Sequence, residues 1–377
     1  MLALRVLTQS VYQSYYKKNM LIKNFLDKRG IWIGLGAISL LLRYTSSPET
    51  IEQYYSRGLF LWIRKIIDIG VGWFPIPLIY VFFGILLIWL ISKIRRIQWQ
   101  GFFQWKHLLQ TTYSFLAFLG GVLFFFFLLW GYNYGRIPLV TQLGLQVKPT
   151  PVATLKQSLE KTTEEAIRVR TDIVGDKETA LDKTYLPQNM ETLVRQSVLK
   201  TLKELGYPAV SKVRGRLLVP KGIFLRFGTA GLYWPFVGEG NIDSGLHELQ
   251  QPFTLAHELA HGYGITNEGV CNFIAYLACQ NSENDFIRYA GLVAYWRYAA
   301  IAYQGFEREA YWEFRETLPK GLQADMDAIN DNLDKYPDIM PTFRNYAYDK
   351  YLKSQGISEG LASYSQIIML VDAWERR

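Results

Sequence analysis

The sequence has too few cysteines to build a disulfide framework. Its 377 residues include only two, Cys271 and Cys279. On one predicted helix these lie about 12 Å apart at a rise of about 1.5 Å per residue, which is too far for a disulfide. A scaffold held together by disulfides is therefore excluded, and cysteine usage does not indicate a compartment.

Other signatures are also missing. Lysine and arginine give a formal charge of +8 but are dispersed along the chain, so we expect no nucleic-acid partner. The first 30 residues carry a long basic stretch, and no small-residue cleavage site follows the apolar run, which argues against a signal peptide. Internal repeats and low-complexity tracts are absent from the sequence.

Long apolar runs, in contrast, dominate the first third of the chain. We predict a membrane region over residues 1–135, with three transmembrane helices at about 31–44, 73–94 and 108–132. The first is short, because a bilayer needs about 20 helical residues, and a buried core helix is its main alternative. Residues 45–72 have the amphipathic pattern of a helix that lies in the membrane interface.

Basic residues set the predicted orientation of this region. The short segment 93–106 is basic and is therefore expected in the cytoplasm, together with the basic N-terminus. Three spans then place everything after Gly135 outside. We predict an integral, multi-pass protein of the inner or plasma membrane with an extracytoplasmic domain, although the loop between the first two spans also carries arginines.

Residues 136–377 are predicted to form a mainly α-helical domain with a small β-sheet. The periodicity predicts helices at 151–170 and 188–205, strands at 211–219, 222–226 and 231–236, and nearly continuous helix after Pro252.

The chemistry is concentrated in one motif, His257-Glu258-Leu-Ala-His261. The chain has only four histidines, so this spacing is improbable by chance. On a helix the two imidazoles lie one turn apart on one face, and Glu258 beside them reaches a water held at the same point. The motif therefore predicts a catalytic Zn²⁺ site. A structural histidine pair, the alternative, would need partners for both rings and for the carboxylate.

A third ligand is expected shortly after the motif. Gly262 and Gly264 permit a turn with positive φ, and Glu268 is the first acid beyond it. We predict Glu268 as the third metal ligand; a helix-start acid favoured by the dipole is the alternative. Asn272, one helical turn on, is predicted to hydrogen-bond a ligating imidazole or Glu268. His247 is a rival ligand, with an ordinary loop histidine as its alternative.

The predicted reaction is peptide-bond hydrolysis by a zinc-activated water, with a peptide or protein as the substrate. Glu258 is the predicted general base, which passes the proton to the leaving amine. Glu239 and Asn241 lie in a glycine-rich aromatic turn, and either line the cleft or only form the turn. Four tyrosines are candidates to stabilise the oxyanion and are not ranked by the sequence: Tyr263, Tyr289, Tyr348 and Tyr364.

These residues resemble an uncharacterised bacterial membrane family of the Bacteroidetes and Firmicutes, a domain of unknown function with zinc-metallopeptidase features. The helix after the turn is also similar to the third-ligand helix of integral membrane gluzincins, with Cys271-Asn272 where those have Ala-Asp. The sequence departs from the family pattern at Gly262, Gly269 and Val270. The resemblance rests on His257–His261, Glu268, Asn272–Leu277, Trp130–Arg136, Tyr233–Glu239, Tyr348–Leu352, Gly360 and Ser363–Ser365, and it implies metallopeptidase chemistry with Glu268 as a ligand.

The sequence thus predicts a membrane-anchored zinc metallopeptidase with a zincin-like metallopeptidase domain over residues 136–377. Strands ahead of a metal-binding helix commonly rim a peptidase cleft, and an extended substrate can pair with such an edge; an ordinary sheet that covers the core is the alternative. The alternative from another class is a zinc-binding envelope scaffold or sensor that hydrolyses nothing. Transport has little support, because the predicted spans carry no ionisable residue in mid-membrane. The sequence does not indicate the oligomeric state.

Overall fold

The computed structural model describes residues 28–95 and 105–377, and most of these are helical. The basic N-terminal stretch and most of the loop that orients the predicted membrane region lie outside the described residues. The described chain divides into two compact units. The first contains the residues up to Ser47 and those from Phe83 to Tyr132, and the second contains residues 48–82 and 133–377.

The first unit is built from long apolar helices that meet at glycines. Its helices are α1 (Lys28–Thr45), most of α3 (Leu78–Arg95) and α4 (Trp105–Leu129). A Cβ on Gly36 would lie 2.6 Å from the Cα of Gly120, so only glycine allows the backbones of α1 and α4 to come this close. Such contacts between small residues are typical of helices that pack within a membrane.

Two of the described helices are long and apolar enough to cross a bilayer: α3, and residues Leu108–Leu129 of α4. Few of their residues are buried within the protein, and their large apolar side chains are exposed along much of their length. This exposure distinguishes them from the core helix of a soluble domain, which would bury such side chains.

The prediction of three spans is corrected to two candidate spans among the described residues. Helix α1, which covers the predicted span 31–44, carries Lys28 and Arg29 at one end and Arg43 near the other. About 13 uncharged residues remain, a length of about 20 Å, against a hydrocarbon core of about 30 Å. The predicted second span also begins later, at Leu78, because Pro75 and Pro77 precede the helix.

The second unit begins before the first candidate span. A short turn, Pro48–Thr50, leads into a π-helix, Ile51–Leu59, and then into α2, Phe60–Val71. These residues were predicted as part of the membrane region, but they belong to the same compact unit as residues 133–377. The remaining helices of the unit are α5 (Val152–Val174), α6 (Met190–Glu204), α7 (Gln251–Gly262), α8 (Glu268–Gln280), α9 (Asp285–Phe306), α10 (Arg308–Glu316), α11 (Lys320–Asp334), α12 (Pro341–Ser354) and α13 (Ile367–Glu375), with short turns at Gly131–Gly135, Leu139–Gln142, Leu225–Phe227 and Gly360–Gln366.

One small sheet lies beside helix α7. Its strands are β1 (Arg214–Leu218), β2 (Gly231–Trp234) and β3 (Glu239–Asp243), in the order β1-β3-β2. β3 runs parallel to β1 and antiparallel to β2, with Tyr233 opposite Gly240. The mainly helical class with a small sheet is confirmed. The strand predicted at 222–226 is wrong, and the central strand β3 was not predicted.

The core of the second unit forms around α7 and α8. These two helices pack against each other, α7 also contacts β3 and α6, and α8 also contacts α6 and α9. Leu255, Ala256, Leu259 and Ala260 on α7 are almost completely buried. The motif His257–His261 is thus held by a helix surrounded by protein on most of its sides.

Candidate metal centre

Helix α7 presents the polar residues of the motif to a small buried space. Pro252 occupies its first turn, where a missing N–H costs nothing. His257, Glu258 and His261 are each less than 10% exposed, yet their neighbours on the helix are apolar. A buried group of this polarity requires partners, and the partners come from α8.

Three potential ligand atoms converge at this point. The Nε2 atoms of His257 and His261 lie 3.1 Å apart. Oε2 of Glu268, the first residue of α8, lies 3.0 Å from the His257 Nε2 and 3.2 Å from the His261 Nε2. Metal–ligand bonds of about 2.0–2.2 Å at tetrahedral angles separate ligand atoms by about 3.3–3.6 Å. The observed triangle therefore fits a zinc ion after shifts of a few tenths of an ångström.

The opposite nitrogen of each imidazole is held by an oxygen acceptor. Nδ1 of His261 lies 2.9 Å from the carbonyl oxygen of Ile265, which can only accept a hydrogen bond. Nδ1 of His257 lies 2.8 Å from Oδ1 of Asn272. Nδ1 therefore carries a proton in each ring, and whenever Nε2 is deprotonated, as metal binding requires, its lone pair points to the shared position.

The orientation of Asn272 is itself fixed. Its Nδ2 donates to the carbonyl oxygen of Tyr364, at 3.0 Å, and to the hydroxyl of Tyr298, at 3.1 Å. Because a carbonyl oxygen cannot donate, the amide nitrogen must face Tyr364 and the amide oxygen must face His257. Asn272 thus contacts the imidazole of His257, one of the two partners that the sequence left open for it.

Burial and charge shift the pKa values of the two carboxylates of the site in opposite directions. Burial alone would raise the pKa of Glu268, but the charge of His261 and hydrogen bonds from both imidazoles hold that pKa far below its ordinary value. Burial raises the pKa of Glu258 above its ordinary value, and the nearby histidines only partly offset this. Glu268 is therefore ionised, as a ligand must be, and Glu258 moves toward the range useful to a general base.

Cys271 gives a second set of metal-ligand atoms. Ligand atoms of His257, His261 and Cys271 all lie within 4.8 Å of one another. However, the Cys271 sulfur lies 3.4 Å from Nδ1 of His261, on the side of the ring away from the Nε2 triangle. Burial also raises the pKa of the thiol to about 11, which disfavours the thiolate that binds metal. The set with Glu268 is the better fit.

Glu258 is enclosed by two strands that carry glycine where they meet it. A Cβ on Gly240 would lie 2.8 Å from the Glu258 Cβ, and one on Gly231 would lie 2.6 Å from its Oε1. The backbone N–H of Tyr233 donates to the carboxylate. Oε2 of Glu258 is buried without a hydrogen-bond partner among the described residues. One oxygen of the predicted base is therefore held, and the other is left for a ligand.

The turn between α7 and α8 brings Glu268 to the histidines. Of the two glycines predicted to have positive φ, only Gly264 does, at 88°. Gly262 is needed for space instead, because a Cβ there would lie 2.3 Å from Val213. The carbonyl of Tyr263 accepts a hydrogen bond from Tyr207, whose hydroxyl contacts the buried Arg136.

Arg136 is a buried residue whose role the sequence did not reveal. It forms a two-pronged ion pair with Glu52, with both N–O distances 2.8 Å, and also lies 3.5 Å from the carbonyl oxygen of Gly264. Only the isolated Arg-Ile-Pro sequence after the last span could have signalled it. Arg136 connects the π-helix to the turn that positions Glu268.

The four candidate tyrosines are separated by their contacts. Tyr348 donates a hydrogen bond of 2.8 Å to Oε1 of Glu268. The ring of Tyr364 is nearly parallel to that of His257, at 6° and 6.1 Å between centroids. Tyr289 instead binds Asp325, and Tyr263 binds the carbonyl of Ser211. Tyr348 and Tyr364 border the site, whereas Tyr289 and Tyr263 form structural hydrogen bonds.

The remaining predicted residues lie elsewhere. Gly240 faces α7, so the side chains of its neighbours Glu239 and Asn241 lie on the opposite face of the sheet. Glu239 is fully buried, where it accepts a hydrogen bond from the N–H of Leu78 and pairs with Arg214. Through these contacts Glu239 supports the turn before α3, and its buried side chain does not line a cleft. His247 lies before α7, and its Nδ1 accepts from the N–H of Leu249.

The fold and the site together define a mainly helical protein with two candidate membrane-spanning helices and a buried His-His-Glu group. A family described as a protein of unknown function, DUF3810, matches residues 55–371. The chain belongs to this family. No curated protein and no solved structure gives a significant match.

Proposed function

We propose that this protein is a membrane-anchored, zinc-dependent metallopeptidase. The observation that carries the proposal is the triangle of His257 Nε2, His261 Nε2 and Glu268 Oε2, with sides of 3.0–3.2 Å. Three protein ligands with a carboxylate beside them match the donor set of catalytic zinc sites, which leave one position open for water or substrate. Zinc, when bound, would supply a Lewis acid that polarises the scissile carbonyl and lowers the pKa of water.

Glu258 performs the proton transfers in this proposal. Its unpartnered Oε2 accepts a proton from the attacking water, while the N–H of Tyr233 fixes the rest of the carboxylate. The same oxygen then delivers the proton to the leaving amine. Burial raises the pKa of Glu258, which favours both the uptake of the proton from water and its delivery to the amine, because a carboxylate of ordinary acidity is a weaker base.

Strand β2 is the proposed substrate-binding edge. It lies at the edge of the sheet, and the N–H of Tyr233 is directed at Glu258. This outer strand therefore runs beside the proposed base, so a peptide that binds along β2 would lie beside Glu258. We infer that the substrate binds in an extended conformation.

Membrane anchorage is the second part of the proposal. Helices α3 and α4 would cross the bilayer as a hairpin, so both segments of the second unit lie on the same membrane face. Exposed apolar side chains recur at helical spacing along α2 and just beyond its end, with exposures of 65–77%: Trp62, Ile66 and Ile69 in the helix, and Trp73 two residues after it. Tryptophan and isoleucine on one face suit a helix in the membrane interface, and this face ends five residues before α3 begins.

The decisive experiment compares Glu258→Gln with wild type. Both proteins, purified in detergent, should bind one zinc ion, because Glu258 is not in the ligand triangle. Wild type should cleave members of a mixed-sequence peptide library, and Glu258→Gln should lose at least about a hundredfold in kcat/KM, the usual contribution of a general base. Glu248→Gln, the same change in the turn before α7, is the matched control and should retain activity.

Two results would contradict the proposal. If neither wild type nor the variant contains zinc, the metal site is wrong. If both contain zinc and neither cleaves a peptide, the protein is instead the non-hydrolytic scaffold or sensor. A chelator separates the cases further, because it should abolish any cleavage that depends on the metal.

A further inference from the structure

An apolar pocket adjoins the candidate metal centre and shares a residue with it. The pocket has a volume of about 390 Å³ and is lined mainly by Phe227, Met340, Phe343, Ala347, Tyr348 and Tyr351. This volume is at the small end of the roughly 300–1,000 Å³ typical of ligand pockets. It suits one large side chain better than an extended small molecule.

Tyr348 forms the wall between the pocket and the metal ligands. Its ring lines the pocket, and its hydroxyl donates 2.8 Å to Oε1 of Glu268. Glu268 Oε2 in turn belongs to the ligand triangle. The pocket and the proposed reaction centre are thus only one side chain apart.

The opposite wall leads directly to the proposed substrate edge. Phe227 lies four residues before Gly231, where an added Cβ would lie 2.6 Å from Oε1 of Glu258. Four residues span at most about 14 Å of chain. An extended peptide on β2 advances about 3.3 Å per residue, so a side chain within about four residues of the scissile bond reaches the pocket.

The pocket is held in shape by an ion pair at its rim. Arg344 on α12 pairs with Asp338 and donates 2.8 Å to the carbonyl oxygen of Phe227. These contacts join α12 to the loop before β2 and keep the two apolar walls apart. The rim charges pair with each other, which leaves the aromatic and aliphatic interior to select the occupant.

We propose that this pocket is the specificity pocket of the peptidase and binds one large apolar side chain of the substrate near the scissile bond. The inference rests on the proposed function. The occupant is apolar because the charged residues of the lining, Asp338 and Arg344, already pair with each other, and a further charged side chain would lose its hydration there without compensation. A large side chain gains most, since apolar binding scales with the area removed from water.

Ala347→Trp tests the inference by filling the pocket from its exposed helix. In wild type, peptides with Phe or Leu at the selected position should be cleaved at least tenfold better than the same peptides with Ala, the discrimination expected of an apolar pocket. Ala347→Trp should remove this preference, measured as the ratio of kcat/KM for the Phe and Ala peptides. Tyr346→Trp is the matched control, because residue 346 adjoins Ala347 on the helix but does not line the pocket.

A binding measurement keeps the test independent of turnover. Zinc-loaded Glu258→Gln should bind a fluorescein-labelled Phe peptide at least tenfold more tightly than its Ala counterpart, and adding Ala347→Trp should abolish the difference. Retained preference for Phe in Ala347→Trp, with cleavage intact, overturns the pocket while the peptidase stands. Absence of cleavage and of Phe-selective binding in every variant overturns both.

Discussion

At the residue scale, the hydrogen-bond partners of the two imidazoles in the candidate centre have fixed donor and acceptor roles. The Ile265 carbonyl fixes the proton of His261, and the Tyr364 carbonyl fixes the amide of Asn272, which in turn fixes His257. Each acceptor directs an Nε2 lone pair at the same point. The geometry therefore does not depend on the metal to choose the imidazole tautomers.

The choice between Glu268 and Cys271 as third ligand leads to a clear prediction. Glu268→Ala should weaken zinc binding by more than the roughly 10–100-fold typical of losing an outer hydrogen-bonding partner, because it removes a corner of the ligand triangle. Cys271→Ser should leave the affinity nearly unchanged, because its sulfur faces Nδ1 of His261. Zinc affinity measured by competition with a chromophoric chelator checks both. If zinc affinity instead falls in Cys271→Ser and not in Glu268→Ala, the third ligand is Cys271.

At the element scale, the sheet and α7 meet through glycines. Gly240→Ala would place a methyl group 2.8 Å from the Cβ of Glu258. We expect this substitution to lower the free energy of unfolding by about 1–3 kcal/mol, as overpacking does, and to displace the base as well. Thermal unfolding and peptidase assays measure the two effects.

Gly305→Ala is the matched control for that prediction. Gly305 lies in α9, and a Cβ there would meet nothing within 4 Å. Alanine should stabilise this helix by up to about 1 kcal/mol relative to glycine. Equal effects of the two substitutions would show that close packing of β3 on α7 is not what requires Gly240.

The ion pair between the π-helix and Arg136 predicts a pH dependence of stability. Burial would raise the pKa of Glu52, but hydrogen bonds and charge from Arg136 and Arg57 bring that pKa below its ordinary value. A lowered pKa stabilises the folded state above the unfolded value of about 4.3. That contribution is lost as the pH falls from about 5 through the folded pKa.

Glu52→Gln isolates this contribution. With a chelator present, the wild-type melting temperature should fall more between pH 7 and pH 4 than that of Glu52→Gln, which should already be less stable at pH 7. Identical pH profiles would mean that Glu52 does not stabilise the fold through its charge. Activity should follow stability here, because Arg136 also contacts the carbonyl of Gly264 in the turn before Glu268.

At the scale of the whole molecule, the segment that precedes the first candidate span belongs to the unit that carries the candidate metal centre. If α3 and α4 form a membrane hairpin, reporter fusions after residues 100 and 377 should lie on opposite sides. From the basic segment 93–106 we expect the former in the cytoplasm. A fusion after residue 25 should lie on the side of residue 377, because α1 is too short to span. If this fusion lies in the cytoplasm, α1 is a third span.

Much of the candidate site could be predicted from the sequence, because helical periodicity and the spacing of His257, His261 and Glu268 depend on local chain geometry. β3 could not, because Glu239-Gly-Asn-Ile-Asp243 lacks any strand-like alternation. It becomes a central strand because its buried carboxylates are satisfied by groups outside the strand: Glu239 by Arg214, and Asp243 by the backbone N–H groups of Gly222 and Phe224. The sequence left Glu239 open between a cleft and a turn, and the structure places it in this strand.

The sequence by itself determined the helical class, the apolar runs and the His257–His261 motif, since each follows from contacts within a few turns of chain. Only the tertiary structure decided which tyrosines border the site, which oxygen of Glu258 is left without a partner, and where the apolar pocket lies. Those features join residues that are tens to hundreds of positions apart, such as Glu268 and Tyr348. Their proximity depends on how the helices pack, and local patterns carry no record of that packing.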